Sequence, residues 1–249
     1  MVQCLKGEYL MQLRLGKALL AAAGVAVLSA VMTLLSAVSN AASVPVAAAV
    51  SVPGMPPVVD PKNLYSETRA NQLASAVKGD LERVYVPNLR SNSVSVIDPK
   101  TLKVVDNFKV GRSPQHVVPS WDLRTLWVAN NAERGKDGSL TPINPRSGKP
   151  GKAIPVDDPY NLYFSPDGQL AIVVAEAKRR LDFRDPKTLK LQYSIDVPKC
   201  GGVNHGDFSI DGRFAIFTCE FDGSVAKIDL MRNKVSAYLK LEMPKIRFK

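Results

Sequence analysis

From Glu82 onward, short apolar runs return at a near-constant interval with polar turns between them. Val84-Tyr85-Val86-Pro87-Asn88 is followed by Leu126-Trp127-Val128-Ala129-Asn130, Ile172-Val173-Val174-Ala175-Glu176 and Ile216-Phe217-Thr218-Cys219-Glu220, at spacings of 42, 46 and 44 residues. Ser93-Val94-Ser95-Val96-Ile97 alternates small polar and β-branched side chains, the pattern of a half-buried strand, whereas Ala171 to Ala175 is apolar throughout and suits a strand covered on both faces. Every run is too short for a helix of ordinary length.

The turns repeat as faithfully as the runs. Ile97-Asp98-Pro99, Ile143-Asn144-Pro145, Arg184-Asp185-Pro186 and Ile228-Asp229-Leu230 mark the middle of each copy, and Ser120-Trp121-Asp122, Ser165-Pro166-Asp167-Gly168 and Ser209-Ile210-Asp211-Gly212 close the first three. Proline fixes φ and steers the residue before it away from the helical region, while glycine supplies the positive φ that tight hairpins need. Several short strands per unit, repeated every 40 to 50 residues, predict β-propeller blades of four antiparallel strands. The fold class is all-β, with repeats over 82–123, 124–168, 169–212 and 213–249. About four blades are present as a partial ring, because the fourth copy ends without the closing turn of the others.

The first forty residues follow another pattern. Arg14 and Lys17 precede an uncharged run from Ala18 to Val38, and Ser39-Asn40-Ala41 offers small residues for cleavage. Residues 1–41 therefore have the makeup of a signal peptide, which places the repeats in the periplasm or outside the cell. An uncleaved signal anchor is the alternative, since about 20 apolar residues can span a bilayer. Residues 42–81 are an Ala/Pro-rich linker and lead-in, within which Tyr65 to Val77 forms either a short helix or an irregular approach to the first blade.

Composition and charge sharpen the picture a little. With 45% hydrophobic and 22% charged residues, the chain has ordinary globular chemistry and enough apolar material for a core. The net charge of +10 falls to +8 once Lys6, Glu8, Arg14 and Lys17 leave with residues 1–41. That balance favours anionic partners, among them nucleic acid. The lysines lie scattered through turns, however, and no basic run interleaved with aromatics appears, so a nucleic-acid or surface-interaction module is an alternative resting on charge alone.

Candidate chemistry is sparse. No nucleophile elbow, zinc-protease helix or phosphate loop occurs, and no catalytic residue is assigned. Cys200 and Cys219 are a disulfide candidate in an oxidising compartment, the alternative being one buried cysteine and one loop thiol. The absence of Cys-x-x-Cys-His removes a covalently attached c-type haem. Counting back four from Ser120, Ser165 and Ser209 reaches His116, Asn161 and His205, which share one position in successive blades. If that strand lies nearest the axis, the three side chains gather at a central channel, where they hold a ligand or bond to neighbouring blades and water. Glu176 and Glu220 stand where the earlier copies have Asn88 and Asn130. Acceptors at such strand ends bind loop backbone.

The residues also resemble a known family. The Tyr-Val-x-Asn-like runs at Val84 and Leu126, with Ser95 to Pro99, are similar to the YVTN-type repeat and to the haem d1 domain superfamily that includes dissimilatory cytochrome nitrite reductase. The resemblance covers Glu82 to about Pro244 and implies an axial His on an inner strand shortly before a Ser-containing turn, the placement of His116 and His205. It implies haem d1 or another tetrapyrrole as cofactor. It also implies a ring of seven or eight blades, which at this repeat length takes roughly 300 residues or more. The chain is expected to be C-terminally truncated on that measure. The function expected is a binding or interaction scaffold, with a tetrapyrrole-binding protein as the alternative.

Overall fold

The computed structural model describes residue 67 and residues 69–242, except 134 and 210; the targeting segment and most of the linker lie outside them. A 3₁₀ turn at Ser75–Val77 lies in the described part of the lead-in. Fifteen strands follow among the described residues, in four antiparallel sheets. The first sheet holds β1 (Val84–Asn88), β2 (Ser93–Asp98) and β3 (Lys103–Lys109). The second runs β4 (Pro114–Pro119), β5 (Leu126–Asn130), β6 (Ser139–Ile143) and β7 (Ile154–Pro155). The third contains β8 (Pro159–Phe164), β9 (Ala171–Ala175), β10 (Arg180–Arg184) and β11 (Leu191–Asp196). The fourth comprises β12 (Val203–Phe208), β13 (Phe214–Cys219), β14 (Ser224–Asp229) and β15 (Lys234–Lys240).

The blade-like sheets are those the spacing predicts, but they are out of phase with the repeats. In each of the first three repeats the strand just before the Ser-x-Asp turn is the first strand of the following sheet. The fourth sheet therefore has all four strands, and it is the first sheet that shows three among the described residues.

The landmark turns work by side-chain capping. Asp98, Asn144, Asp185 and Asp229 each accept, through Oδ1, the backbone N–H two residues on, at 2.8, 2.9, 3.0 and 3.0 Å. In the closing turns the hydroxyls of Ser120, Ser165 and Ser209 donate to the aspartate two residues later and accept the N–H five residues later. These bonds explain why both landmarks recur while the residues around them vary.

Sheets stack face to face through alternating side chains. Ile172 and Val174 of β9 join a cluster with Phe217 and Ile228 of the fourth sheet, whereas Ala171 and Val173 join one with Trp127 and Leu140 of the second. Burial on both faces is why this run carries no polar residue. Polar ladders mark the equivalent positions of other strands. Asn88 donates to Ser95, Asn130 to Thr141, and in the third sheet the place of these hydroxyls is taken by Asp182. Its carboxylate accepts Arg180 Nε at 2.6 Å, Arg184 Nη2 at 3.2 Å and the Ser194 hydroxyl at 2.7 Å.

Candidate functional site

The first strands of the second, third and fourth sheets, β4, β8 and β12, are entered alike. Each is preceded by a residue in the left-handed region, Ser113 at φ 53°, Asp158 at 49° and Gly202 at 65°. The pairing register then slips between Pro114 and His116, between Pro159 and Asn161, and between Val203 and Gly206. An inserted residue of this kind twists a strand and redirects its side chains. His116 and Asn161 stand immediately after the slip, and His205 lies within it. These three residues therefore share a strand position and a local distortion.

The structure brings the three together. The rings of His116 and His205 meet edge to face with centroids 5.2 Å apart, and Tyr160 lies 5.0 Å from His116 and 6.2 Å from His205. Hydrogen bonding assigns the two imidazoles different tautomers. His116 Nδ1 is 2.9 Å from the Tyr160 carbonyl, an acceptor only, so Nδ1 carries the hydrogen and Nε2 keeps its lone pair. Asn161 Oδ1 takes the Leu162 N–H at 2.8 Å, which fixes the amide and turns Nδ2 toward His205 Nδ1 at 3.4 Å. Nδ1 of His205 is thus the acceptor and Nε2 carries the hydrogen. One imidazole offers a base and its neighbour a donor. Burial holds His116 below the ordinary imidazole range, opposed by the Tyr160 carbonyl and reinforced by His205.

Beside these strands opens a pocket of about 570 Å³, bordered by Gln115, Asp158 and Gly202, which sit one or three residues before the clustered positions. Glu133, Glu176, Arg179 and Phe221 complete its polar and aromatic character. Among the described lining residues Arg179 is the one cation, and its guanidinium donates to the Pro198 carbonyl at 3.1 Å. Burial raises the carboxyl of Glu176, and the neighbouring Asp158 and Glu220 raise it further. Asp158 is also raised, again by burial, although the backbone N–H of Lys178 bonds to it at 3.1 Å. Among the described residues, no three His, Cys, Asp or Glu side chains come together to hold a metal ion.

A raised carboxyl destabilises the fold when it ionises. The contribution of Glu176 is whole below its ordinary value of 4.5 and is lost as pH climbs through the higher folded value. Glu176→Gln is therefore expected to raise the melting temperature at pH 7 and leave it unchanged at pH 4, which calorimetry at the two pH values checks. An equal shift at both would mean that packing rather than ionisation is responsible.

One sequence expectation is corrected by the sheet register. Asn130, Ala175 and Cys219 occupy one position, opposite Pro114, Pro159 and Val203. Glu176 and Glu220 come one residue later and correspond to Asn131, not to Asn88 and Asn130. Glu220 accepts a side-chain bond from Asn204 at 2.8 Å, not one from a loop. Cys200 and Cys219 form a disulfide with Cα atoms 4.7 Å apart, and Val203 lies opposite Cys219. Tyr160, Asp158 and Phe221 escaped sequence reasoning, though Asp158 carried a signal: it precedes the strand-opening Pro159 as Ser113 precedes Pro114.

No protein-family model matches the chain, and no curated protein matches it. Solved structures do. Hydrazine synthase of Kuenenia stuttgartiensis shares 24% identity at a TM-score of 0.54, over 66% of this chain and 47% of that one. Dihydro-haem d1 dehydrogenase NirN, in complex with DHE, shares 20% at 0.49, over 66% and 35%. A functionally unknown protein of Desulfotomaculum acetoxidans DSM 771 shares 15% at 0.49, over 66% and 54%. The chain thus spans about half of the first neighbour's length. That likeness establishes a β-propeller architecture and nothing of activity; the two weaker ones carry no argument.

Proposed function

We propose that the chain is an exported β-propeller binding module that takes a small ligand where β4, β8 and β12 begin. The observation that carries this reading is the convergence of His116, Asn161 and His205 from three sheets, with a lone pair and a donor side by side next to a pocket. Glu133, Asp158 and Glu176 around that pocket favour a neutral or cationic ligand over an anionic one. Phe221 adds an aromatic surface, 73% exposed, suited to an apolar or cationic group.

A tetrapyrrole is the second reading, favoured by one feature. His116 has Nδ1 anchored and Nε2 free, the arrangement of a metal-ligating imidazole. The rest of the site does not fit. A tetrapyrrole carries acidic side chains, and the described lining residues meet them with three carboxylates and one arginine already bonded to a backbone carbonyl. Spermidine and haemin, probes of opposite charge, separate the readings. Calorimetry is expected to show spermidine binding that weakens about tenfold in Glu176→Gln, with no haemin Soret shift. A Soret shift abolished by His116→Ala would replace this reading with the tetrapyrrole one, and spermidine binding unaltered by the substitution would remove the ligand from this pocket.

A further inference from the structure

A second cavity continues the first. It holds about 470 Å³ and lies between the turn that joins β1 to β2 and the entry to β4, bordered by Leu89, Arg90, Arg112 and Ser113. Glu133 borders both cavities, so they meet at this residue as one groove. Two rows of equivalent residues run along it. Ser113, Asp158 and Gly202 immediately precede β4, β8 and β12, while Leu89, Asn131 and Glu176 immediately follow β1, β5 and β9. From the second cavity to the first, one row changes from hydroxyl to carboxyl and the other from apolar to amide to carboxyl.

The two ends therefore differ in charge. Asp158 and Glu176 make one end acidic, with Arg179 already bonded to a carbonyl. At the other end stand two arginines. Arg112 is engaged by Asp137, whose carboxylate takes its Nε at 3.1 Å. Arg90 is exposed, and among the described residues it has no hydrogen-bond or ion-pair partner. Ser113 beside it is only 7% exposed. Its N–H donates to Asn92 Oδ1 at 2.9 Å and its carbonyl accepts the Asn131 N–H at 3.2 Å, but its hydroxyl meets no partner among the described residues. Asn131, 5% exposed, accepts the Glu133 N–H through Oδ1 at 3.1 Å, which leaves its Nδ2 hydrogens without a described acceptor. Buried polar groups are normally satisfied, so unpaired ones bordering a groove mark where ligand atoms belong.

We propose that the groove takes a small zwitterion, with its ammonium group at Asp158 and Glu176 and its carboxylate at Arg90 and Ser113. This rests on the reading of the first cavity as a ligand site and adds the class of ligand. A guanidinium receives a carboxylate through paired N–H donors, and the Ser113 hydroxyl supplies a further one. Asn131 Nδ2 offers a donor between the two ends. A carboxylate suits the basic end better than a phosphate, because one unpaired guanidinium balances one negative charge and a second would lie unbalanced near Glu133.

Matched probes test the charge at each end. 4-Aminobutanoate, 6-aminohexanoate and 8-aminooctanoate are each compared with their primary amides, which keep the length and remove only the carboxylate charge. Calorimetry on the full chain is expected to show the best-fitting acid binding about tenfold or more tighter than its amide, the usual worth of hydrogen bonds to a charged group. In Arg90→Gln the acid should fall to the level of its amide, and Ser113→Ala should narrow the gap. Glu176→Gln should weaken acid and amide alike. Equal binding of acid and amide at every length, or a preference that survives Arg90→Gln, would overturn the proposal. If spermidine still binds in that case, the first cavity stands as a ligand site and the zwitterion alone is removed; if spermidine, acids and amides all fail to bind, both readings fall.

Discussion

Asp182→Ala is expected to cost about 3–5 kcal/mol, the usual penalty for removing one partner of a buried ion pair. Asp182 is fully buried in β10, between Arg180 and Arg184, and Arg184 is itself only 8% exposed. Burial alone would raise its carboxyl, but the bonds from Arg180 and Ser194 and the charges of both arginines outweigh it and hold the group below the carboxylate range. With alanine in its place, two guanidinium groups keep their desolvation and lose their counter-ion. Arg180 retains Asp157 at 3.3 Å, whereas Arg184 retains only the Leu189 carbonyl at 3.0 Å. Urea unfolding measures the loss; a value under about 1 kcal/mol would mean that water reaches the pair. Replacing Arg180, Asp182 and Arg184 together with neutral residues is expected to recover most of it, because the cost lies in the unpaired charge. Acid acts in the same direction. The depressed carboxyl contributes stability that is present above its unfolded value of 3.8 and lost as pH falls through the lower folded value.

Opening the disulfide comes next in size. Cys200→Ala with Cys219→Ala is expected to lower stability by about 3 kcal/mol, since the bond closes a short loop in the unfolded chain. The two sulfurs are separated by 19 residues in sequence, and both cysteines are buried to 1% or less. In a protein of this size the melting temperature should fall by roughly 6–12 °C. An unchanged melting temperature in the double variant, or in wild type held in reductant, would show that the bond adds nothing. The effect reaches the pocket. Cys200 is followed by Gly201 and Gly202, which line it, and Gly201 donates its N–H to Asp222. A Cβ on Gly202 would lie 2.8 Å from the Phe221 ring, so this wall depends on close approach of backbone and aromatic side chain.

The period, the strand runs and both turn landmarks are legible in the sequence because each is local: an Asx cap or a Ser-Asp pair is written within a few residues. The sequence also placed His116, Asn161 and His205 in one row, since equivalent residues in a repeat keep equivalent positions. It did not show their tautomers, which depend on the Tyr160 carbonyl and the Asn161 amide approaching from neighbouring sheets. The register of Glu176 and Glu220 came out one residue off, because apolar runs align equally well in either frame and only the opposed Pro159 and Val203 decide between them. The ion cluster around Asp182 was not legible either. Arg-Leu-Asp-Phe-Arg alternates like any half-exposed strand, and the polar face became interior only because another sheet covers it.

The offset between repeat and sheet has a mechanical consequence. Each of the first three repeats gives three strands to one sheet and a fourth to the next, as Leu126–Asn130 and Pro159–Phe164 do in the second. Consecutive sheets are therefore sewn together rather than strung like beads. Unravelling one repeat strips the first strand from its neighbour and, with it, a member of the histidine cluster, so loss of order at one end is passed along the row instead of being contained.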